Sequence, residues 1–141
     1  MVNKPEILVE EVLAESKKEN GKYFLECIAI AANHLNRNRR VYPYDILKPE
    51  VDRYIREEVE NNSAYGECGH PEGRLNIDLS NVSHRIISLT EDGNFWRAKC
   101  SIIDSPKGNI VRAIMEDGGR IGMSTRAAGS VKKSNDSKSF I

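Results

Sequence analysis

A histidine and a serine in two separate, locally constrained segments are the residues of this chain best equipped for chemistry. The first segment is Gly66-Glu67-Cys68-Gly69-His70-Pro71. Its glycines and proline predict a tight turn that holds an imidazole in one orientation at a strand end. The second is Gly122-Met123-Ser124-Thr125-Arg126-Ala127-Ala128-Gly129, a run of small residues around a serine. An unperturbed imidazole titrates near ~6.5 and accepts a serine proton near neutral pH. A serine so activated attacks a carbonyl, with nearby backbone amides and Arg126 to stabilise the oxyanion. The chemistry indicated is acyl transfer, with peptide-bond cleavage the leading case. Neither segment is specific alone, and Ser124 is not in the G-x-S-x-G arrangement of α/β-hydrolases.

A third candidate is His84, in Val82-Ser83-His84-Arg85-Ile86. Strand alternation puts Val82 and Ile86 on its face, which predicts an inward ring. It is either a third catalytic member that orients His70 or a satisfied core histidine. His34, in a polar loop, is given no role. Cys68 and His70 form a C-x-H pair, but no second pair stands at zinc-like spacing, so no metal site is expected. Cys68 reads as a small buried residue rather than a nucleophile. The basic stretch Asn36-Arg37-Asn38-Arg39-Arg40 lacks interleaved aromatics and reads as a solvated or substrate-facing loop.

The elements that must position these residues follow from hydrophobic period and turn chemistry. Residues 1–20 read as a weak amphipathic helix or an arm. Residues 22–32 are rich in β-formers and read as a strand. In residues 44–61, Ile46, Leu47, Val51, Tyr54, Ile55 and Val59 recur at helical spacing. Residues 64–71 read as a short strand entering a turn. Two strands, 82–90 and 94–103, flank Glu91-Asp92-Gly93, a hairpin signal. Asp104-Ser105-Pro106 opens a short helix that Gly118-Gly119 closes. Residues 120–131 read as another strand, and 132–141 as a polar tail. The fold class expected is α+β: a small, mostly antiparallel barrel-like sheet with a few helices. Its division is an arm at 1–21, a main domain at 22–131 and the tail.

Bulk properties suit one domain. The chain has 141 residues, 39% hydrophobic and 30% charged, ordinary values for a globular protein. Lys+Arg and Asp+Glu are both 21, for a net charge of zero. That balance gives no argument for nucleic acid or an anionic membrane as partner. No apolar run approaches the ~20 residues of a membrane span. The three cysteines are widely spaced and do not read as a disulfide framework.

Taken together and in order, the motifs say more. Asn36-Arg37-Asn38-Arg39-Arg40-Val41-Tyr42-Pro43 precedes Gly66-Glu67-Cys68-Gly69-His70-Pro71. Val82-Ser83-His84, Asp104-Ser105-Pro106-Lys107-Gly108 and Gly119-Arg120-Ile121-Gly122-Met123-Ser124-Thr125-Arg126 follow. The series resembles the prohead core proteases of T4-like bacteriophages, a branch of the capsid maturation serine proteases similar in fold to herpesvirus assembly proteases. The resemblance runs over about residues 22–131. It implies a serine endopeptidase inside the immature capsid, within the host cytoplasm. Such an enzyme cuts scaffold, the N-terminal part of the capsid protein, and itself.

The family's histidine falls on His70 and its serine on Ser124, with backbone amides near Arg126 and Ala127 as the oxyanion support. Scaffold and major capsid proteins are the implied partners, with homo-oligomers and without cofactor, membrane or nucleic acid. The family's preference for glutamate, with an apolar residue two positions earlier, marks Glu10 and Glu15 as candidate self-cleavage sites. Three departures stand out. Ser124-Thr125-Arg126-Ala127 replaces Ser-Ser-Arg-Gly, which leaves Thr125 as a minor alternative nucleophile. Cys68 takes a leucine position. Relatives continue past the serine strand, so a third catalytic residue supplied downstream is not mapped, leaving His84 or a dyad. A non-catalytic prohead core component that keeps the fold and binds capsid or scaffold chains is the alternative reading.

Overall fold

The computed structural model describes residues 6–36, 38–69, 77–129, 132–133 and 139–140. The first strand, β1 (Glu6–Glu19), turns through Asn20-Gly21 into β2 (Lys22–Ala31). Both turn residues have positive φ, 51° and 78°, the conformation that Asn-Gly adopts most readily in a two-residue hairpin. A two-residue β3 (Arg40–Val41) leads to helix α1 (Tyr44–Tyr54), continued by one wider turn at Ile55–Val59. After β4 (Tyr65–Glu67) come the long hairpin strands β5 (Val82–Asp92) and β6 (Phe95–Ile102). Helix α2 (Pro106–Glu116) precedes β7 (Ile121–Gly129). The short β8 (Lys132–Lys133) and β9 (Ser139–Phe140) follow.

Six strands form one sheet in the order β4-β5-β6-β2-β1-β7. Every pair in it is antiparallel, and the sheet curls into a half-barrel. The α+β expectation therefore holds. One face carries the core. Leu25, Ala98, Cys100 and Ile102 are buried there with Tyr23, and α2 packs Val111 onto them. Helix α1 closes the other end with Val51 against Ala32 and Trp96, while the Tyr44 ring stacks on Trp96 at 5.9 Å. Trp96 is fully buried. Burying side chains of this size is the main stabilising term, about 1.5–3 kcal/mol each.

Three expectations need correction. Residues 6–19 are neither helix nor free arm. They are β1, interior to the sheet, with β2 on one side and β7 on the other. The sheet consequently starts before residue 22. The hairpin turn lies at Gly93-Asn94, one residue later than expected, because Asp92 pairs with Phe95 and Gly93 takes φ 64°. In the tail, β9 pairs with β3 and β8 in a small second sheet.

Candidate active site

The strand entering the histidine segment is held at several points. Gly66 of β4 pairs directly with His84 of β5. Beyond β4, the Cys68 N–H donates to the Asn81 carbonyl at 3.0 Å, and Asn81 Nδ2 donates to the Cys68 carbonyl at 2.7 Å. The Asn81 amide also reaches Glu67 Oε1 at 3.3 Å. Gly69 has φ +82°, a conformation glycine adopts without steric cost. His70 itself lies outside the described residues.

His84 explains why Gly66 is a glycine. A Cβ built on Gly66 would lie 2.0 Å from His84 Nε2 and 2.3 Å from its Cε1. The ring tip thus fills the space a side chain would need. At its other nitrogen, Nδ1 is 2.9 Å from the Ser83 hydroxyl. Burial pushes the imidazole down to about 4, so the ring is neutral at neutral pH. The expected inward orientation agrees with this half-buried position.

The register of β7 on β1 places Ser124. In β7, Ile121 and Met123 pack against the core, as does Ala14 of β1. Alternation turns Gly122 and Ser124 to the opposite face. Their partners across β1 are Leu13 and Glu11, and Leu13 is 60% exposed. Ser124 is half-buried there. Thr125 faces Glu10, Arg126 faces Val9 and Ala127 faces Leu8 in the backbone register. Among the described strands, β7 has β1 as its one neighbour.

The structure does not bring every candidate together. Ser124 and His84 lie on strands separated by β6, β2 and β1 in sheet order. Glu10 and Glu15 both lie inside β1, the latter paired with Glu26. All three cysteines are free. Burial raises Cys27 to about 11 and Cys100 to about 12, which keeps both as unreactive thiols. Cys68 is half-buried, short of the full burial expected. Among the described residues no three metal-ligating side chains cluster, and no helix is long and apolar enough to cross a membrane. The basic loop is a tight turn in which Asn36 Oδ1 accepts from the Asn38 and Arg40 amides. Sequence reasoning missed Ser83, which is 1% exposed. Its one legible signal was its place beside a strand histidine.

A curled antiparallel half-barrel with two helices and a serine on an edge strand has the fold of capsid assembly proteases. A family model described as "Prohead core protein serine protease" matches residues 2–141, and the chain belongs to that family. The prohead core protein protease of Enterobacteria phage T4 is 34% identical over 115 residues, 80% of this chain and 54% of the relative. The chain thus spans about half the length of that curated relative. The solved structure of the bacteriophage T4 capsid assembly protease, gp21, superposes with a TM-score of 0.90 at 28% identity. That match covers 98% of this chain and 90% of the other.

Proposed function

We propose that this chain is a serine endopeptidase of phage capsid maturation, acting inside the prohead on scaffold and capsid protein segments. The observation that carries the reading is the match to the protease family over residues 2–141. The placement of Ser124 supports it, on the sheet face away from the core and in an edge strand that an extended polypeptide can approach.

In this reading Ser124 Oγ attacks the scissile carbonyl carbon while His70 takes the hydroxyl proton. Backbone amides near Arg126 and Ala127 hold the oxyanion. Collapse of the tetrahedral adduct breaks the C–N bond, and His70 passes its proton to the leaving amine. Water, with His70 again as base, then releases the acyl-enzyme. Cleavage follows glutamate. His84 contributes from β5 by seating β4, the strand that leads into the His70 segment. The bonds after Glu10 and Glu15 lie within paired backbone, so self-cleavage there requires β1 to leave the sheet first.

A mass-spectrometric time course on the full chain with a leucine-x-glutamate peptide tests this. Cleavage after glutamate that Ser124→Ala and His70→Ala each abolish is expected. Cleavage surviving Ser124→Ala but lost in Thr125→Val would move the nucleophile. A folded chain that cuts nothing would favour a non-catalytic core component.

A further inference from the structure

Ser83 is the one polar residue among the buried side chains described, at 1% exposure. Its hydroxyl is 2.9 Å from His84 Nδ1, and no other side-chain partner for it is found among the described residues. A buried hydroxyl proton needs an acceptor. Nδ1 serves only if the neutral ring carries its proton on Nε2. The reverse arrangement, Nδ1–H donating to Oγ, would strand the serine proton. The Nε2 end of the ring projects into the space beside Gly66, where a Cβ would meet it at 2.0 Å.

We propose that Ser83 is a positioning residue: it locks His84 in the Nε2–H tautomer, so that the ring presents a donor and not an acceptor beside Gly66 of β4. The proposal rests on the serine endopeptidase reading and adds a direction to it. The third member of a serine–histidine relay accepts a hydrogen bond from the N–H of the catalytic imidazole. His84 locked in this way has Nδ1 occupied and can only donate from Nε2. His84 then seats β4 and does not relay charge to the catalytic imidazole.

Long-range proton–nitrogen NMR on the full chain, labelled at histidine nitrogens, reads the tautomer directly. Wild type should show a protonated His84 Nε2 and a bare Nδ1, and folded Ser83→Ala should show both tautomers. Cleavage kinetics read the role. His84→Gln, which keeps a donor near the Nε2 position, should hold kcat within about threefold, whereas His84→Met should lose about tenfold in kcat at unchanged KM. A proton on Nδ1 in wild type overturns the proposal, as does a His84→Met chain with wild-type kcat. Should Ser83→Ala not fold, the wild-type spectrum and the His84 pair still decide. A chain that cleaves nothing in any form sinks the protease reading instead, while the spectrum still reports the tautomer.

Discussion

The two edges of the six-stranded sheet differ in how much side chains add to backbone pairing. The β4 edge is three residues long; it pairs with β5 from Tyr65–Arg85 to Glu67–Val82, and side chains add Asn81 on Cys68 and Glu67 and the His84 ring against Gly66. The β7 edge is nine residues long and is fixed by backbone register along β1, from Ala14–Ile121 to Glu6–Gly129. Side-chain pinning sets one point accurately and fails when one atom is moved. Register sets a whole strand and fails only when the neighbouring strand is lost. The histidine and serine segments are therefore vulnerable to different kinds of change.

The largest effect should come from breaking β1. Ala14 packs against the core where the two ladders of β1 meet: it pairs with Ile121 of β7, and pairing with β2 begins at Glu15. Ala14→Pro constrains φ and removes an amide at that junction, costing about 3 kcal/mol or more. Hydrogen exchange should show residues 121–129 losing protection before β5 and β6 do. Equal loss in all strands would mean that β7 is not held by β1 separately.

Next in size is a pH effect confined to the β4 edge. The His84 ring titrates near 4 when folded, from an ordinary value of 6.5, because burial disfavours its charged form. The unfolded chain therefore takes up the proton first as pH falls. Stability from this group is full above about 6.5 and is lost progressively down to about 4, by up to about 3 kcal/mol. Urea unfolding at stepped pH should show that slope, and His84→Gln should remove its share. An unchanged slope in His84→Gln would assign it to carboxylates elsewhere.

Gly66→Ala sharpens the same contrast by adding one methyl group. The new Cβ collides with the His84 ring, so the ring must leave or β4 must shift, at about 1–3 kcal/mol. NMR titration should then find the His84 value moved back toward 6.5. Gly122→Ala on the other edge is the control, since among the described residues a Cβ there meets only the Val12 carbonyl, at 3.8 Å. It should cost less than Gly66→Ala in the same urea series.

Where sequence could be read, it was read through period and turn chemistry. Helix α1 announced itself by apolar spacing, α2 by Ser105-Pro106, and the β5–β6 hairpin by Gly93. Strand β1 was not legible as a strand because its charges obscure the alternation around Val12, Leu13 and Ala14. The Asn20-Gly21 turn was the available signal, since only a hairpin explains that pair between two extended runs. The serine segment was found by residue type. The neighbour that holds β7 was not, because strand pairing across more than a hundred residues leaves no local mark. Gly66 was read as backbone freedom, whereas its role is room for a ring. A contact between residues 66 and 84 belongs to the fold, not to either motif.

The smallest effect concerns the start of α2, which ties the helix to the strand bearing Ser83 and His84. Ser105 Oγ accepts from the Gly108 amide at 3.0 Å and donates to the Val82 carbonyl at 2.7 Å. One hydroxyl therefore caps the helix and anchors the first residue of β5. Ser105→Ala loses both bonds and should cost about 1–2 kcal/mol. Ser105→Asp keeps a capping oxygen, adds a charge that the helix N-terminus favours, and loses the donor to Val82. If the cap carries the effect, thermal unfolding of Ser105→Asp should match wild type. If the anchor carries it, Ser105→Asp should fall with Ser105→Ala, and the His84 ring nitrogens should shift in both. The second result would make the β4 edge depend on α2 through a single hydroxyl.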